Sequence, residues 1–452
     1  MNSSLLVNKL RKKYIWIISI IIICIILALV GLNTWLFNDS IIYPNIFIES
    51  VHIGGLTPED AKLRIKEIFE DELDNFSVEI GYEDRSWKLS YMDLGVYYVL
   101  DDHIHKAYGI GRSGNYFDRI KKIMSLRKNP EILPLEPYYD PFKVESIIVD
   151  IKKAVNKEAV NAEIQRKNDD FVIVKEILGV EVDENALKKN IITALKNNNN
   201  NPMNIPIKYT NPPIMEETLA AVQDIIGEFT TYFNIEQKGR VENIKLAVNS
   251  INNTLLMPGE EFSFNDSTGP RSVEEGYQEA SVIVNGEFVP GIGGGICQVS
   301  TTLYQAALRS NTEITSRRNH GLPVGYVPMG YDATVAYGYI DFKFKNNKDD
   351  PIYIESYIDG DKVSVKLYSK KTDNISIDLK SEIIEVVEPK TEIKKDSNMS
   401  LGERKVSKSA KKGYRVATYK IYLKDGKEIN RELITKDFYP PVHGVVIEGA
   451  KE

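Results

Sequence analysis

Between residues 14 and 37 the chain reads YIWIISIIIICIILALVGLNTWLF, without one charged position. About 20 apolar residues suffice to cross a bilayer core, so this run is read as a transmembrane helix. Lys9, Arg11, Lys12 and Lys13 precede it, and no acidic residue occurs before Asp39. The positive-inside rule then makes residues 1–38 a cytoplasmic tail and anchor, with the rest outside the cytoplasm, a single-pass type II arrangement. A cleaved signal peptide competes with this reading, but the run is long for one and Ala28-Leu-Val30 is a poor cleavage site.

Past the anchor the pattern alternates between helical and strand periods. Thr57 suits an N-cap, Pro58 the first helical position and Asp60 a capping-box return, predicting a helix to about Glu70. Alternating segments follow at Ser77-Val78-Glu79-Ile80 and Trp87-Lys88-Leu89, then a turn at Leu94-Gly95-Val96 and a helix from Asp101. The same order returns with a strand over 171–174, a turn at Leu178-Gly179-Val180 and a helix over 186–195. Two related α+β units are expected, 39–138 and 139–212. A helical pattern over 216–229 opens a third α+β block, 213–370. Residues 371–452 read as a small β-rich module, with a hairpin turn at Asp425 and Gly426. The fold class is thus multidomain α+β, with enough chain beyond the anchor for about three domains.

Charge changes the picture modestly. Four of the 57 basic residues lie before the anchor, so the remainder is more acidic than the overall −7. An acidic surface argues against nucleic acid as a partner. Two cysteines exclude a disulfide scaffold and a cysteine-based zinc module. Asp101-Asp102-His103-Ile-His105 lacks the third fixed ligand of a metal site and reads as a surface turn. No metal or cofactor is expected.

Cys24 falls inside the anchor, which leaves Cys297 alone in an oxidising compartment, where a free thiol is either buried or chemically used. It ends the glycine turn G-I-G-G-G-I-C-Q-V-S (291–300). From there Val299, Leu303, Ala306 and Ala307 fall on one helical stripe. Cys297 is therefore placed at a helix start, where the dipole favours thiolate and free N–H groups suit an oxyanion. A thiol nucleophile needs a base, and His320 is the one histidine of its block. Asp332 or Asp341 would orient the imidazole. The turn is not a phosphate loop, since Ile-Cys-Gln stands where Gly-Lys-Ser/Thr belongs.

Substrate contact is assigned to Gly294, Gly295 and Gln298 beside the thiol. Tyr277 joins them from a second segment, where Asp266, Arg271, Glu274 and Glu275 also read as cleft lining. Arg317 and Arg318 next to the base are read either as a fork for a substrate carboxylate or as a solvated pair.

At these residues a resemblance becomes specific. M-P-G-E-E-F-S-F-N (257–265), Gly276-Tyr277, G-G-G-I-C-Q-V-S-T-T-L-Y (293–304), Arg318-Asn319-His320 and Y-V-P-M-G-Y-D-A-T-V (326–335) resemble the VanW family. Residues 48–212 resemble the peptidoglycan-binding domain that commonly precedes VanW domains, through the Leu-Gly-Val turns and G-I-G-R-S-G-N (109–115). The tail resembles the G-five (G5) domain through Tyr419, Asp425-Gly426, Arg431-Glu432 and Tyr439-Pro440-Pro441-Val442. The VanW family takes its name from glycopeptide-resistance clusters. Some members are regarded as L,D-transpeptidases of peptidoglycan, with the cysteine matching Cys297 as nucleophile. The better-known L,D-transpeptidase domain has its histidine before the cysteine; here the order is reversed, so the role of His320 is inferred from its position alone. The resemblance implies a cell-wall enzyme with peptidoglycan as partner. A cysteine endopeptidase or carboxypeptidase, and a non-catalytic wall-binding protein with a buried Cys297, are the alternatives.

Overall fold

The computed structural model describes residues 3–167, 170–284 and 287–451. The chain divides into two compact units, residues 1–159 with 178–210, and residues 160–177 with 211–452.

The first unit opens on one unbroken helix, Ser3–Leu36. Within it an 18-residue window of Lys9–Leu36 reaches a mean hydropathy of 3.2, so this helix is long and apolar enough to cross a membrane. Helix Pro58–Asn75 starts where expected: the Thr57 hydroxyl accepts from the Asp60 N–H at 3.1 Å, and proline opens the helix where no N–H is required. Strand Ser77–Tyr82 pairs with Arg85–Ser90 and, in parallel, with Met203–Asn204. That long-range pairing ties distant segments into one core, in which Phe76, Val78, Ile80 and Leu94 meet Val144, Ile148, Leu187 and Ile191. Ile42, Ile46, Ile65, Ile104 and Leu126 form a separate core. The two cores therefore do not follow chain order; segment 76–94 packs with residues 144–205.

In the second unit the helical pattern over 216–229 fails after one turn. Helix Glu216–Leu219 gives way to strand Asp224–Tyr232. The β-branched and aromatic residues of that stretch pair with strand Lys362–Ser369 along its length, and this tertiary pairing overrides a local helical period. The resulting four-stranded antiparallel sheet runs Asp224–Tyr232, Lys362–Ser369, Ile352–Asp359, Thr254–Leu256. Its two faces bury different partners. Ile352, Ile354, Val363, Val365 and Leu367 share a core with helices Lys238–Ile251 and Ile296–Arg309. Tyr353 and Tyr368 meet the Phe171 ring edge-on at 5.2 and 5.0 Å, from the hairpin of strands Glu163–Lys167 and Asp170–Val174.

Helix Ile296–Arg309 is enclosed nearly all round. The expected stripe Val299, Leu303, Ala306 and Ala307 is fully buried, and so are the polar Ser300, Thr301, Thr302 and Gln305. Buried polar groups require partners, and a long irregular segment supplies them. Ser300 Oγ donates to the Ala333 carbonyl at 2.7 Å, the Ala333 N–H donates to Thr301 Oγ1 at 3.0 Å, and Gln305 Nε2 donates to the Tyr331 carbonyl at 2.7 Å. Segment 317–342, with little regular structure, is thereby bolted to the helix that carries Cys297. Long loops of this kind in compact domains are usually functional.

The tail forms two three-stranded sheets, Ile375–Val387, Gly413–Lys424 and Lys427–Tyr439, then Thr391–Ser400, Gly444–Lys451 and Arg404–Lys408. Asp425 and Gly426, with φ of 51° and 73°, make the two-residue hairpin turn anticipated from their identities. Leu379 of the tail is part of the core around the Cys297 helix, so the two blocks share a packed interface.

Candidate functional site

Strands Glu279–Val284 and Glu287–Ile292 form a hairpin that delivers the chain into the glycine turn. Gly295 caps the helix at φ 110°, a conformation open in practice only to glycine. At Gly294 a Cβ would stand 2.6 Å from the Ser281 carbonyl oxygen, so the turn can press against the hairpin only without a side chain. Cys297 follows as the second residue of the helix and is partly exposed. Its sulfur lies 3.7 Å from the Thr334 hydroxyl and 3.6 Å from the Val335 carbonyl oxygen.

His320 sits on the bolted segment, buried. Its ring Nδ1 is 2.6 Å from Asp332 Oδ2, and its backbone N–H donates to the same oxygen at 2.6 Å. With Nδ1 taken, Nε2 is the ring nitrogen left for the Cys297 sulfur, and both residues line the same cavity wall. Imidazole and carboxylate are thus a hydrogen-bonded pair, with the thiol electrostatically coupled to the imidazole. Asp341, the other candidate carboxylate, is engaged elsewhere: it accepts from Ser263 Oγ at 2.6 Å and from the Asn265 N–H at 2.9 Å.

The three groups tune one another. Burial pushes the thiol up, but the hydrogen bond from His320 and its positive charge more than reverse this, bringing Cys297 down from 9.0 to about 7. Burial also disfavours the imidazolium; the hydrogen bonds to Asp332 and Cys297 overcome it and raise His320 to about 9. Asp332 is buried too, yet His320 holds its carboxyl below the usual carboxylate range.

A second layer, supplied by the tail, fixes Asp332. The Tyr439 hydroxyl donates to its Oδ1, and accepts from the Gly330 N–H at 2.8 Å. Arg317 Nε donates to the Asp332 carbonyl at 2.7 Å and its Nη1 to Asp437 Oδ1 at 2.5 Å. Its guanidinium also lies over the Tyr304 ring, 5.2 Å from the centroid. Arg317 is therefore occupied inside the fold, and Arg318 is exposed and outside the cavity wall. The carboxylate fork considered for this pair is not what the geometry offers, because neither guanidinium reaches the cavity. Tyr277 is also withdrawn: it is buried in the core, and its hydroxyl donates to the Thr268 carbonyl at 3.3 Å.

The thiol opens on a cavity of about 940 Å³ whose wall includes Gly293, Gly294, Gly295, Gln298, His320, Tyr326 and Tyr337. Of the turn read as cleft lining, Pro270 and Arg271 reach the wall, while Asp266, Glu274 and Glu275 do not. Gln298 is pinned between its Nε2 donations to Thr231 Oγ1 at 3.0 Å and the Tyr232 carbonyl at 2.9 Å. Arg240, unremarked in the sequence, adds a second guanidinium to the wall and donates from Nη2 to Gln298 Oε1 at 2.8 Å. Nothing in its local pattern marks it out, since it lies on the separate helix Lys238–Ile251. The His103 and His105 motif lies on helix Leu100–Gly109, where His103 Nδ1 is 2.8 Å from the Val99 carbonyl oxygen at the helix start.

Fold and site together describe a chain with one long apolar helix and an α+β domain that holds a cysteine and a histidine on a cavity wall, with a carboxylate behind the histidine. Three family models match along the chain in order. A domain named for peptidoglycan binding covers residues 87–204, VanW like protein covers 239–368, and the G5 domain covers 380–451. The chain is 35% identical over 243 residues to YoaR of Bacillus subtilis, an uncharacterized protein, spanning 54% of this chain and 79% of that one. It is 30% identical over 167 residues to the vancomycin B-type resistance protein VanW of Enterococcus faecalis, spanning 36% of this chain and 60% of that one. The G5 domain of IgA1 protease is 21% identical and covers 18% of this chain and 98% of that structure, with a TM-score of 0.14. The chain belongs to the VanW family. Its domains make it a cell-wall-associated protein carrying a peptidoglycan-binding domain.

Proposed function

We propose that the chain is a cysteine-dependent L,D-transpeptidase, held to the membrane by Lys9–Leu36 with the rest of the chain facing the cell wall. The observation that carries this reading is Cys297 and an Asp332-backed His320 on the wall of one cavity, with thiol and imidazole each shifted toward its own charged form.

In the proposed reaction the Cys297 thiolate attacks the carbonyl carbon of the amide between the third residue and the terminal D-alanine of a donor stem peptide. A carbon–sulfur bond forms and the carbonyl pair moves onto oxygen, held by backbone N–H groups of the turn and first helical residues. Collapse breaks the carbon–nitrogen bond, and the His320 imidazolium gives its proton to the departing amine. The amine of an acceptor stem then attacks the thioester, the imidazole takes its proton, and thiolate leaves as the cross-link forms. The peptidoglycan-binding domain would keep donor and acceptor strands near the site.

The test is to incubate detergent-solubilised full-length chain with disaccharide-tetrapeptides and follow products by mass spectrometry. Cross-linked dimers and an acyl adduct on Cys297, both absent in Cys297→Ala, are the expected outcome. Shortened monomers alone would move the reading to hydrolysis through the same thioester. No adduct and no product would leave a binding protein.

A further inference from the structure

The cavity wall carries a charge opposite to that of the protein. The chain is net −7, yet the cavity is lined by the cations Arg240, Arg271 and His320 against the single Cys297 thiolate, and no carboxylate is among the described residues of the wall. The two arginines are held differently. Arg240 is spent in part on Gln298. Arg271 donates from Nη2 to Thr268 Oγ1 at 2.9 Å, and its guanidinium lies 5.5 Å from the Tyr337 ring centroid. Its other terminal nitrogen, Nη1, is shielded from solvent and has no hydrogen-bond partner among the described residues.

A shielded donor on a cation without a partner is destabilising unless something else meets it. The rigid guanidinium fork is matched by a planar anion, above all a carboxylate. One nitrogen is anchored on Thr268 and the guanidinium sits beside the Tyr337 ring, so the group is held at the wall with one donor unspent. Burial weakens both guanidiniums as cations, while the charge of Cys297 favours them, which places both within electrostatic reach of the sulfur.

We infer that Arg271, supported by Arg240, anchors a free carboxylate on the substrate, so that the site takes peptide termini in preference to internal amides. The inference rests on the reading of Cys297 as nucleophile, and it moves the carboxylate contact from Arg317 and Arg318 to a guanidinium that lines the cavity. Arg271 becomes the specificity determinant: the residue lost from the donor is the one whose carboxylate it holds.

Two measurements on the full-length chain separate this inference from the reaction itself. In a Cys297→Ala background, calorimetry is run with diacetyl-L-lysyl-D-alanine and with its C-terminal amide. The acid should bind at least about 10-fold more tightly than the amide, and Arg271→Gln should remove that preference, as expected for a charge-assisted hydrogen bond. Arg271→Lys, which keeps the charge without the fork, should recover part of it. Equal binding of acid and amide, no binding of either, or an acid affinity untouched by Arg271→Gln would overturn the inference. In the chain with Cys297 intact, iodoacetate and iodoacetamide are compared as alkylating agents. Arg271→Gln should lower the iodoacetate-to-iodoacetamide rate ratio several-fold, and an unchanged ratio counts against the anchor. Absence of alkylation by either reagent would instead defeat the nucleophile, leaving the acid-to-amide comparison to decide the anchor.

Discussion

The Tyr439 phenol donates a hydrogen bond to Oδ1 of Asp332, joining residues 107 positions apart and linking the C-terminal module to the carboxylate behind His320. Tyr439 is fully buried and also receives the Gly330 N–H, so it holds the segment carrying Asp332 from two sides. The G5 domain is thus part of the support of this site as well as a neighbour of it.

Tyr439→Phe removes the donor to a buried carboxylate and the acceptor of a buried N–H. It should destabilise the second unit by about 1–3 kcal/mol in urea titrations. If Tyr439 acts by positioning, kcat should fall with KM nearly unchanged, and the midpoint of thiol reactivity against pH should move. A variant of full activity and unchanged pH profile would reduce the residue to packing.

The pH dependence follows from the paired shifts. In the folded chain the thiol loses its proton near pH 7 and the imidazolium near pH 9, as steps of a coupled pair. The lowered thiol contributes stability that is lost as pH falls through about 7, and the raised imidazole stability that is lost as pH rises through about 9. Between the two, thiolate and imidazolium bind as many protons as the thiol and neutral imidazole of the unfolded chain. The pair's contribution is therefore flat against pH there, although reactivity is not. Iodoacetamide alkylation of Cys297 should rise with a midpoint near pH 7, and turnover should show limbs near 7 and 9. His320→Asn should shift the alkylation midpoint upward; an unmoved midpoint would remove the imidazole as the cause.

The two carboxylates can be separated by substitution. Asp332→Asn leaves Nδ1 of His320 without its anionic partner and should lower turnover by orders of magnitude while raising the thiol midpoint. Asp341→Asn disturbs contacts to Ser263 and Asn265 instead. It should lower stability, by about 1–3 kcal/mol, and leave the alkylation profile where it was. Equal effects on that profile would contradict the assignment.

The glycine turn is the most constrained backbone of the site. Gly294→Ala forces a Cβ to within 2.6 Å of the Ser281 carbonyl oxygen, and Gly295→Ala places a side chain at φ 110°. Each should destabilise by about 1–3 kcal/mol and slow Cys297 alkylation at fixed pH, because the helix start carrying the sulfur must shift. Gly321→Ala, with nothing within 4 Å of the added Cβ, is the control.

What was legible in the sequence is what depends on neighbours along the chain. The apolar run from 14 to 37, the Thr57 cap, the Asp425-Gly426 turn and the glycine turn into the Cys297 helix are local chemistry, and each stands where its residue types require. The candidate thiol, the one histidine of its block and a choice of two carboxylates were also open to reading, because such side chains are rare in that block. What only the tertiary structure decided is pairing across long separations. Strand Lys362–Ser369 turns a helical pattern into strand Asp224–Tyr232. Ser300, Thr301 and Gln305 carry Asp332 to the imidazole, and Arg317 goes inward to Asp437 while Arg240 and Arg271 reach the cavity wall. A charged side chain's partner is set by which surfaces the hydrophobic cores bring together, and that contact energy has no counterpart in local spacing.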